Sequence, residues 1–336
     1  MTTYTHARVE HTSRPNQGIV FKKHLGHYFV QSGERTLVCS VSSRLRKRLI
    51  YPTSDPSSGT LRRVQAVEKI KRVDPVAVGD VVRFEDAGDG TGMIKEVLPR
   101  RNKLVRYAAG PKPLEQVIVA NIDQFVPIVA AAQPKPRWGL LDRYLAAAEE
   151  AGIPTLICIT KLDLAKRQRL WKTVQIYEDI GYPATLTSAV TGEGIAAFRE
   201  TIQGKISVLV GMSGVGKTTL LNAVQPGLGL RVREISESTG KGKHTTSHVE
   251  MFPLDGGGSV VDTPGIKTFG LWETDSSDLA GLFREMQPYV GRCRFRLDCS
   301  HTHEPDCAIK DAVEAGNITQ LRYKSYLRLN SALRPI

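Results

Sequence analysis

Residues 211–218 read Gly-Met-Ser-Gly-Val-Gly-Lys-Thr, a full match to G-x-x-x-x-G-K-[ST]. The run Ile206-Ser207-Val208-Leu209-Val210 before it has the composition of a buried strand. Thr219-Leu220-Leu221-Asn222-Ala223 after it reads as a helix. Strand, glycine-rich turn and helix in that order commit this part of the chain to an α/β sheet. In such a turn consecutive backbone N–H groups face a β-phosphate, with the positive end of the helix behind them. Lys217 then reaches the β- and γ-phosphates and the Thr218 hydroxyl ligates Mg²⁺. Gly211, Met212, Ser213, Gly214, Val215, Gly216 and Thr219 complete the expected cradle.

The neighbouring segments fit the same sheet. Val117–Ala120, Phe125–Val129 and Pro154–Ile159 read as strands, and 140–151 has helical spacing. Strands and helical segments alternate to about residue 282, as in a mostly parallel α/β sheet. Thr160-Lys161-Leu162-Asp163 follows one buried strand. There Asp163 can accept from N1–H and the 2-amino group of guanine, which adenine cannot match, while the Lys161 stem packs along the base. Ser188-Ala189 fits a second guanine-facing loop, with a backbone N–H toward O6. Val260-Val261-Asp262-Thr263-Pro264-Gly265 ends a strand in Asp-x-x-Gly, which puts Asp262 near Mg²⁺ and the Gly265 N–H near the γ-phosphate. The hydroxyl-rich run 240–246 suits a switch segment, with Thr245 favoured as metal ligand and Thr246 next to it. Together these elements point to GTP rather than ATP.

Their order is unusual. The base-reading elements at 160 and 188 precede the phosphate loop, whereas an ordinary GTPase has them after it. Joining the original termini and reopening the chain elsewhere preserves the site, because domain termini often lie close together.

Charge divides the chain differently. Of the 46 Lys and Arg residues, 20 fall in residues 1–110 against 10 acidic ones, while 111–282 is close to neutral. A strongly basic first third points to a polyanion held by one domain. Its short runs, 27–30, 36–41, 79–84 and 92–98, are rich in strand formers and separated by Gly and Asp turns. They suggest a small closed barrel of the oligonucleotide-binding (OB-fold) kind. The longest connection, 43–76, carries Arg44, Arg46, Lys47, Arg48, Arg62 and Arg63. Pro111-Lys112-Pro113 marks a linker. Five cysteines are too few for a disulfide scaffold, and Cys39 and Cys158 read as core residues. The polar N-terminus and the lack of an apolar run near 18–20 residues argue against a secretory signal or membrane span, so a cytoplasmic protein is expected.

With these motifs in place, the chain resembles the bacterial circularly permuted ribosome-biogenesis GTPase (RsgA, or YjeQ) family. The likeness runs from the basic barrel through Arg100-Arg101-Asn102-Lys103-Leu104-Val105-Arg106, the permuted motifs and a terminal Cys/His cluster. It implies three domains: a basic OB-fold barrel over 1–110, a permuted GTPase domain over 111–282, and a zinc-binding helical domain over 283–336. It also implies GTP hydrolysis to GDP, stimulated by the small (30S) ribosomal subunit during its late maturation, with 16S rRNA as a contact and the protein acting as a monomer. The family's usual Asn in the base-reading motif is Thr160 here, so weaker loop bracing is expected.

Cys293-x5-Cys299-x-His301-x5-Cys307 offers three thiolates and an imidazole, the donor set of a closed structural zinc site. His303 competes on spacing, and the family resemblance favours His301. A short segment of this kind folds on its metal. The residue after Asp-x-x-Gly is Ile266, which cannot orient a water as the Gln of many GTPases does. His244 is the candidate to do so, matching the family pattern Gly-x-His-Thr-Thr. Two other readings stay open at this point. One is a constitutive RNA-binding protein with a structural nucleotide site; the other is an ATP-dependent nucleic-acid enzyme, against which Asp163 argues.

Overall fold

The structure, a computed structural model, describes residues 16–24, 26–45, 74–107, 115–228, 249–262 and 279–333. Its first unit is a five-stranded barrel of β1 (Gln17–His24), β2 (His27–Ser32), β3 (Arg35–Val41), β4 (Val81–Asp86) and β5 (Thr91–Val97). The pairing runs β1–β2–β3–β5–β4 and back to β1, so the sheet closes, with only β3–β5 parallel. Alternation along β3 sends Leu37, Cys39 and Val41 inward and Thr36, Val38 and Ser40 outward. The inward set meets Val20, Val30, Val82, Phe84 and Ile94 in a dry core. Gly79 needs its positive φ of 87° in the turn before β4, and a Cβ there would sit 2.0 Å from the Ala120 carbonyl oxygen. Of the basic connection, Arg44 is described and exposed; Arg46, Lys47, Arg48, Arg62 and Arg63 lie outside the described residues.

A hairpin of β6 (Lys103–Tyr107) and β7 (Glu115–Ala120) leads into the second unit. At its base Arg100 forks onto the fully buried Asp80 carboxylate, at 2.6 and 2.7 Å. Beyond it come β8 (Gln124–Ala130), α1 (Trp138–Glu150), β9 (Ile157–Thr160), α2 (Arg167–Asp179), β10 (Ala184–Leu186), α3 (Ile195–Ile202), β11 (Ile206–Val210), α4 (Lys217–Val224), β12 (Glu250–Pro253) and β13 (Ser259–Asp262). The sheet order is β10-β9-β8-β11-β13-β12, parallel except for β12. Both faces are covered, and β8, β9 and β11 are buried at every position, which is why they read as unbroken apolar runs. β12 also meets β1 at Lys22 and Glu250, whose side chains form a 2.9 Å ion pair. Barrel and sheet are thereby one eleven-stranded surface.

The chain ends in short 3-10 turns, then α5 (Ala308–Glu314) and α6 (Gln320–Leu333). The helical pattern of 311–333 is shared between these two helices, with 315–319 between them. Gly316, at φ 81°, reverses the backbone, and the Asn317 and Ile318 N–H groups both return to the Ala312 carbonyl. Phe283, Met286, Ile309 and Tyr326 share one core with Tyr144 and Val261 of the α/β unit. Within that contact Arg322 is 1% exposed and bonds Asp142 of α1 at 2.6 Å and Glu285 at 2.6 Å. Its guanidinium also lies 4.5 Å from the Phe283 ring centre. Burial pushes the Asp142 carboxyl upward against the pull of Arg322 and the Tyr177 hydroxyl. Arg322→Leu strands two buried carboxylates, so stability should fall by about 3–5 kcal/mol, read as a lower urea midpoint. Pairing it with Asp142→Asn should return part of that loss.

Candidate functional site

All the sequence-predicted nucleotide elements that are described emerge at the carboxyl edge of the parallel sheet. β8 continues to β9 on one side, while β11 pairs β13 on the other, so the order reverses between β8 and β11. Ligands of open α/β sheets bind at such a reversal. Residues 211–218 leave β11 there. Gly211 passes so close to β8 that a Cβ would lie 2.7 Å from the Ile128 carbonyl oxygen. Gly214 and Gly216, at φ 79° and 94°, give the loop its curl before α4 begins at Lys217. Val215 is buried, Met212 packs on the same core, Ser213 and Thr219 are exposed, and Thr218 is half-buried. Lys217 Nζ donates to the carbonyls of Gly211, at 2.7 Å, and Met212, at 3.2 Å, so its stem folds back over the loop.

The element at 160–163 braces this loop directly. Thr160, at the end of β9, donates its hydroxyl to the Val215 carbonyl. The Thr-for-Asn departure therefore keeps a tie to the phosphate loop. Lys161, at φ 58°, donates to the Gly214 carbonyl at 2.7 Å and to the Gln133 carbonyl. Its stem runs 3.6 Å from where a Gly216 Cβ would stand. Asp163 is exposed and accepts from the buried Ser188 hydroxyl at 2.6 Å. The two base-reading loops are stapled together by Thr187 N–H to the Ile159 carbonyl and Leu162 N–H to the Thr187 carbonyl, at 2.7 and 3.1 Å. Ala189 packs against the core below. Thus 160–163, 188–189 and 211–218 form one connected rim, although 55 residues separate Thr160 from Val215. The 131–137 loop with Gln133, not foreseen from sequence, is part of it.

The Asp262 backbone pairs with Leu209 beside the loop. The Asp262 side chain, together with Gly265, Thr245, Thr246, His244 and Ile266, lies outside the described residues.

The second cluster is 293–307. The ligating atoms of Cys293, Cys299, His301 and Cys307 all lie within 4.8 Å of one another, and all four residues are buried. His301 Nδ1 is 3.4 Å from the sulfurs of both Cys293 and Cys307, which are 3.8 Å apart. His303 is outside this group and contacts Thr302 Oγ1. Left-handed backbone at His301 and Asp306, φ 56° and 51°, tightens the loop. Burial pushes the Cys299 thiol up to about 12, with the neighbouring sulfurs adding to it, and pushes His301 below its ordinary value. Such a group calls for a cation to hold thiolates beside a neutral imidazole, and three sulfurs with one nitrogen fit a metal ion. The loop is held from outside. Tyr323 and Tyr326 of α6 donate to the His301 and Ser300 carbonyls at 2.8 and 2.9 Å. Burial would raise the Glu304 carboxyl, but the Ser300 hydroxyl and the N–H groups of Ser300 and Thr302 hold it down to about 2.

A glycine-rich phosphate loop at the reversal of a parallel sheet, braced by a Thr-Lys-Leu-Asp loop that precedes it in the chain, defines a P-loop GTPase of permuted motif order. Known proteins agree. A family model described as RsgA GTPase matches residues 97–272. "Small ribosomal subunit biogenesis GTPase RsgA" of Gemmatimonas aurantiaca is 41% identical over 263 residues, covering 77% of this chain and 84% of that protein. Its namesake in Phocaeicola vulgatus is 34% identical, covering 93% and 96%. Among solved structures, YjeQ from Thermotoga maritima superposes with a TM-score of 0.72 at 30% identity, covering 95% and 98%. YloQ, titled a circularly permuted GTPase, superposes at 0.67 and 29%, covering 98% and 100%. The chain belongs to the RsgA GTPase family and is a GTP-hydrolysing enzyme.

Proposed function

We propose that this GTPase binds the small (30S) ribosomal subunit and assists its late maturation, hydrolysing GTP to GDP and phosphate when the subunit stimulates it and then dissociating. The observation that carries the reading is the connected rim of 160–163, 188–189 and 211–218 at the sheet reversal, in a chain whose relatives bear the name of that process. Lys217 holds the β- and γ-phosphates from the loop it now covers. Asp163 receives the guanine N1–H and 2-amino groups, aimed by Ser188, and a backbone N–H of 188–189 meets O6. Thr218, Asp262 and Thr245 are the residues to hold Mg²⁺, which offsets charge on the β- and γ-oxygens. The γ-phosphate contact falls to Gly265 of the Asp-x-x-Gly motif.

The three-part division 1–110, 111–282 and 283–336 assigns rRNA contact, 16S in this case, to the basic barrel and the terminal unit. Among the described residues no helix is long and apolar enough to cross a membrane. The protein works as a monomer in the cytoplasm. The metal would be zinc, held by Cys293, Cys299, His301 and Cys307, since three thiolates and an imidazole are the donor set of a closed structural zinc site. Four protein ligands leave no open position, so its role is structural.

Phosphate release with and without purified small subunits, mature and immature, tests the reading. Wild type should turn over slowly alone and many-fold faster with subunits; no stimulation by either particle contradicts it. We assign water positioning to His244. His244→Ala should lose the stimulated rate and keep nucleotide affinity, and persistence of stimulation would remove the assignment.

A further inference from the structure

Helix α2 turns Leu170, Val174 and Tyr177 into the core. At 100° per residue, its outer arc carries in order Trp171, Gln175, Gln168, Asp179, Lys172, Ile176 and Arg169, with Asp179 a further two turns along the helix and Lys166 exposed just ahead at the N-cap. Trp171 is 46% exposed, and Leu164, in the turn after Asp163, is 47% exposed. The half-exposed indole offers a flat, amphipathic surface on which a ring can stack. The charges beside it are placed against local preference. The first turn of a helix favours acidic side chains, yet here it holds none and is flanked by cations. Arg167 is neutralised by Glu193 at 2.6 Å. Among the described residues, Lys166, Arg169 and Lys172 form no ion pair. The carboxylates facing this end are Asp163, engaged by Ser188, and Glu193; Glu178 and Asp179 lie at the far end, with Asp179 held by Gln175.

We infer that this face of α2 is a second RNA-contact surface, separate from the barrel, on which a single-stranded rRNA segment lies. Lys166, Arg169 and Lys172 take consecutive phosphates, Trp171 stacks a base, and Gln168 and Gln175 line the floor between them. Cations beside one exposed aromatic, with amides rather than an apolar patch between, match a nucleic-acid strand better than a protein partner. The surface begins three residues beyond Asp163, joined to its turn through Ala165 and Lys166 alone, so RNA seated there rests against the guanine-reading turn. The inference depends on the reading above that the partner is the small subunit.

The test uses full-length protein loaded with a non-hydrolysable GTP analogue, titrated with purified small subunits and with a mixed-sequence 12-nucleotide single-stranded RNA. The triple variant Lys166→Ala, Arg169→Ala, Lys172→Ala alters exposed positions, the two helical ones suited to alanine and the N-cap one making no side-chain cap, so its melting curve and subunit-free GTP turnover should match wild type. Its affinity for both probes should fall at least about tenfold near 0.1 M salt, with the salt slope smaller by about two. Indole fluorescence should be quenched by the RNA in wild type and not in Trp171→Phe. Affinities within twofold of wild type and an unchanged slope overturn the proposal. Weakened subunit binding with normal RNA binding also overturns it, marking a protein-facing surface instead. A wild-type protein that ignores subunits defeats the underlying reading, and this one with it.

Discussion

Cys307→Ser should release the metal and unfold the segment from 293 to the end of α6. The four donors converge on one point, and no disulfide or long apolar run otherwise ties 293–307 into a closed loop. Metal binding in such sites supplies about 10–16 kcal/mol, which becomes folding free energy. The consequence reaches further than the loop. His301 and Ser300 present the carbonyls that Tyr323 and Tyr326 bond, and α6 carries Arg322 into the α/β unit. Wild type should contain one metal per chain by atomic absorption and the variant almost none. Amide exchange in α5 and α6 should rise toward that of an unfolded chain while β8 and β11 stay protected. Retained protection in the variant would show that side-chain packing alone holds this unit.

Lys217→Ala should lower subunit-stimulated phosphate release by roughly 10²–10³-fold, the effect of removing one fixed donor from a developing charge. The ammonium stands over its own loop, tethered to Gly211 and Met212, so loss of its charge leaves the backbone cradle in place. The fold should be unchanged by circular dichroism. Lys161→Ala gives a useful contrast. That lysine braces the loop through Gly214 and Gln133 from outside, so its loss should raise KM for GTP more than it lowers kcat. Equal loss of kcat in both variants would mean that loop rigidity, not the Lys217 charge, limits turnover.

The parts legible in the sequence were those with local signatures. The phosphate loop announces itself through glycines whose positions the structure explains one by one. The permuted order is visible because Asp163 and Asp262 sit in short motifs behind strands. The metal donors are readable because few arrangements of three cysteines and a histidine do anything else. Other features depend on distant contacts. Strand β1 carries no clear signature, because Lys22 and Lys23 interrupt its alternation at a bulge between Val20 and Lys22. Yet β1 closes the barrel and joins it to β12. The Arg322–Asp142 pair spans 180 residues, and neither residue looks different from a surface charge in a linear reading. The acceptor that Thr160 finds is not legible either, since it is a backbone carbonyl of the loop rather than a side chain.

Nucleotide preference of Asp163→Asn tests most directly whether an early acidic side chain and a late glycine loop serve one bound molecule. Xanthine carries a carbonyl where guanine has its 2-amino group, so an amide at this position suits xanthosine triphosphate. Affinity for GTP should fall by about a hundredfold or more, as expected when a site built to pair two base donors loses its acceptor. Xanthosine triphosphate should become the better substrate, hydrolysed through an intact Lys217. A variant that keeps wild-type GTP affinity and still rejects xanthosine triphosphate would contradict the account.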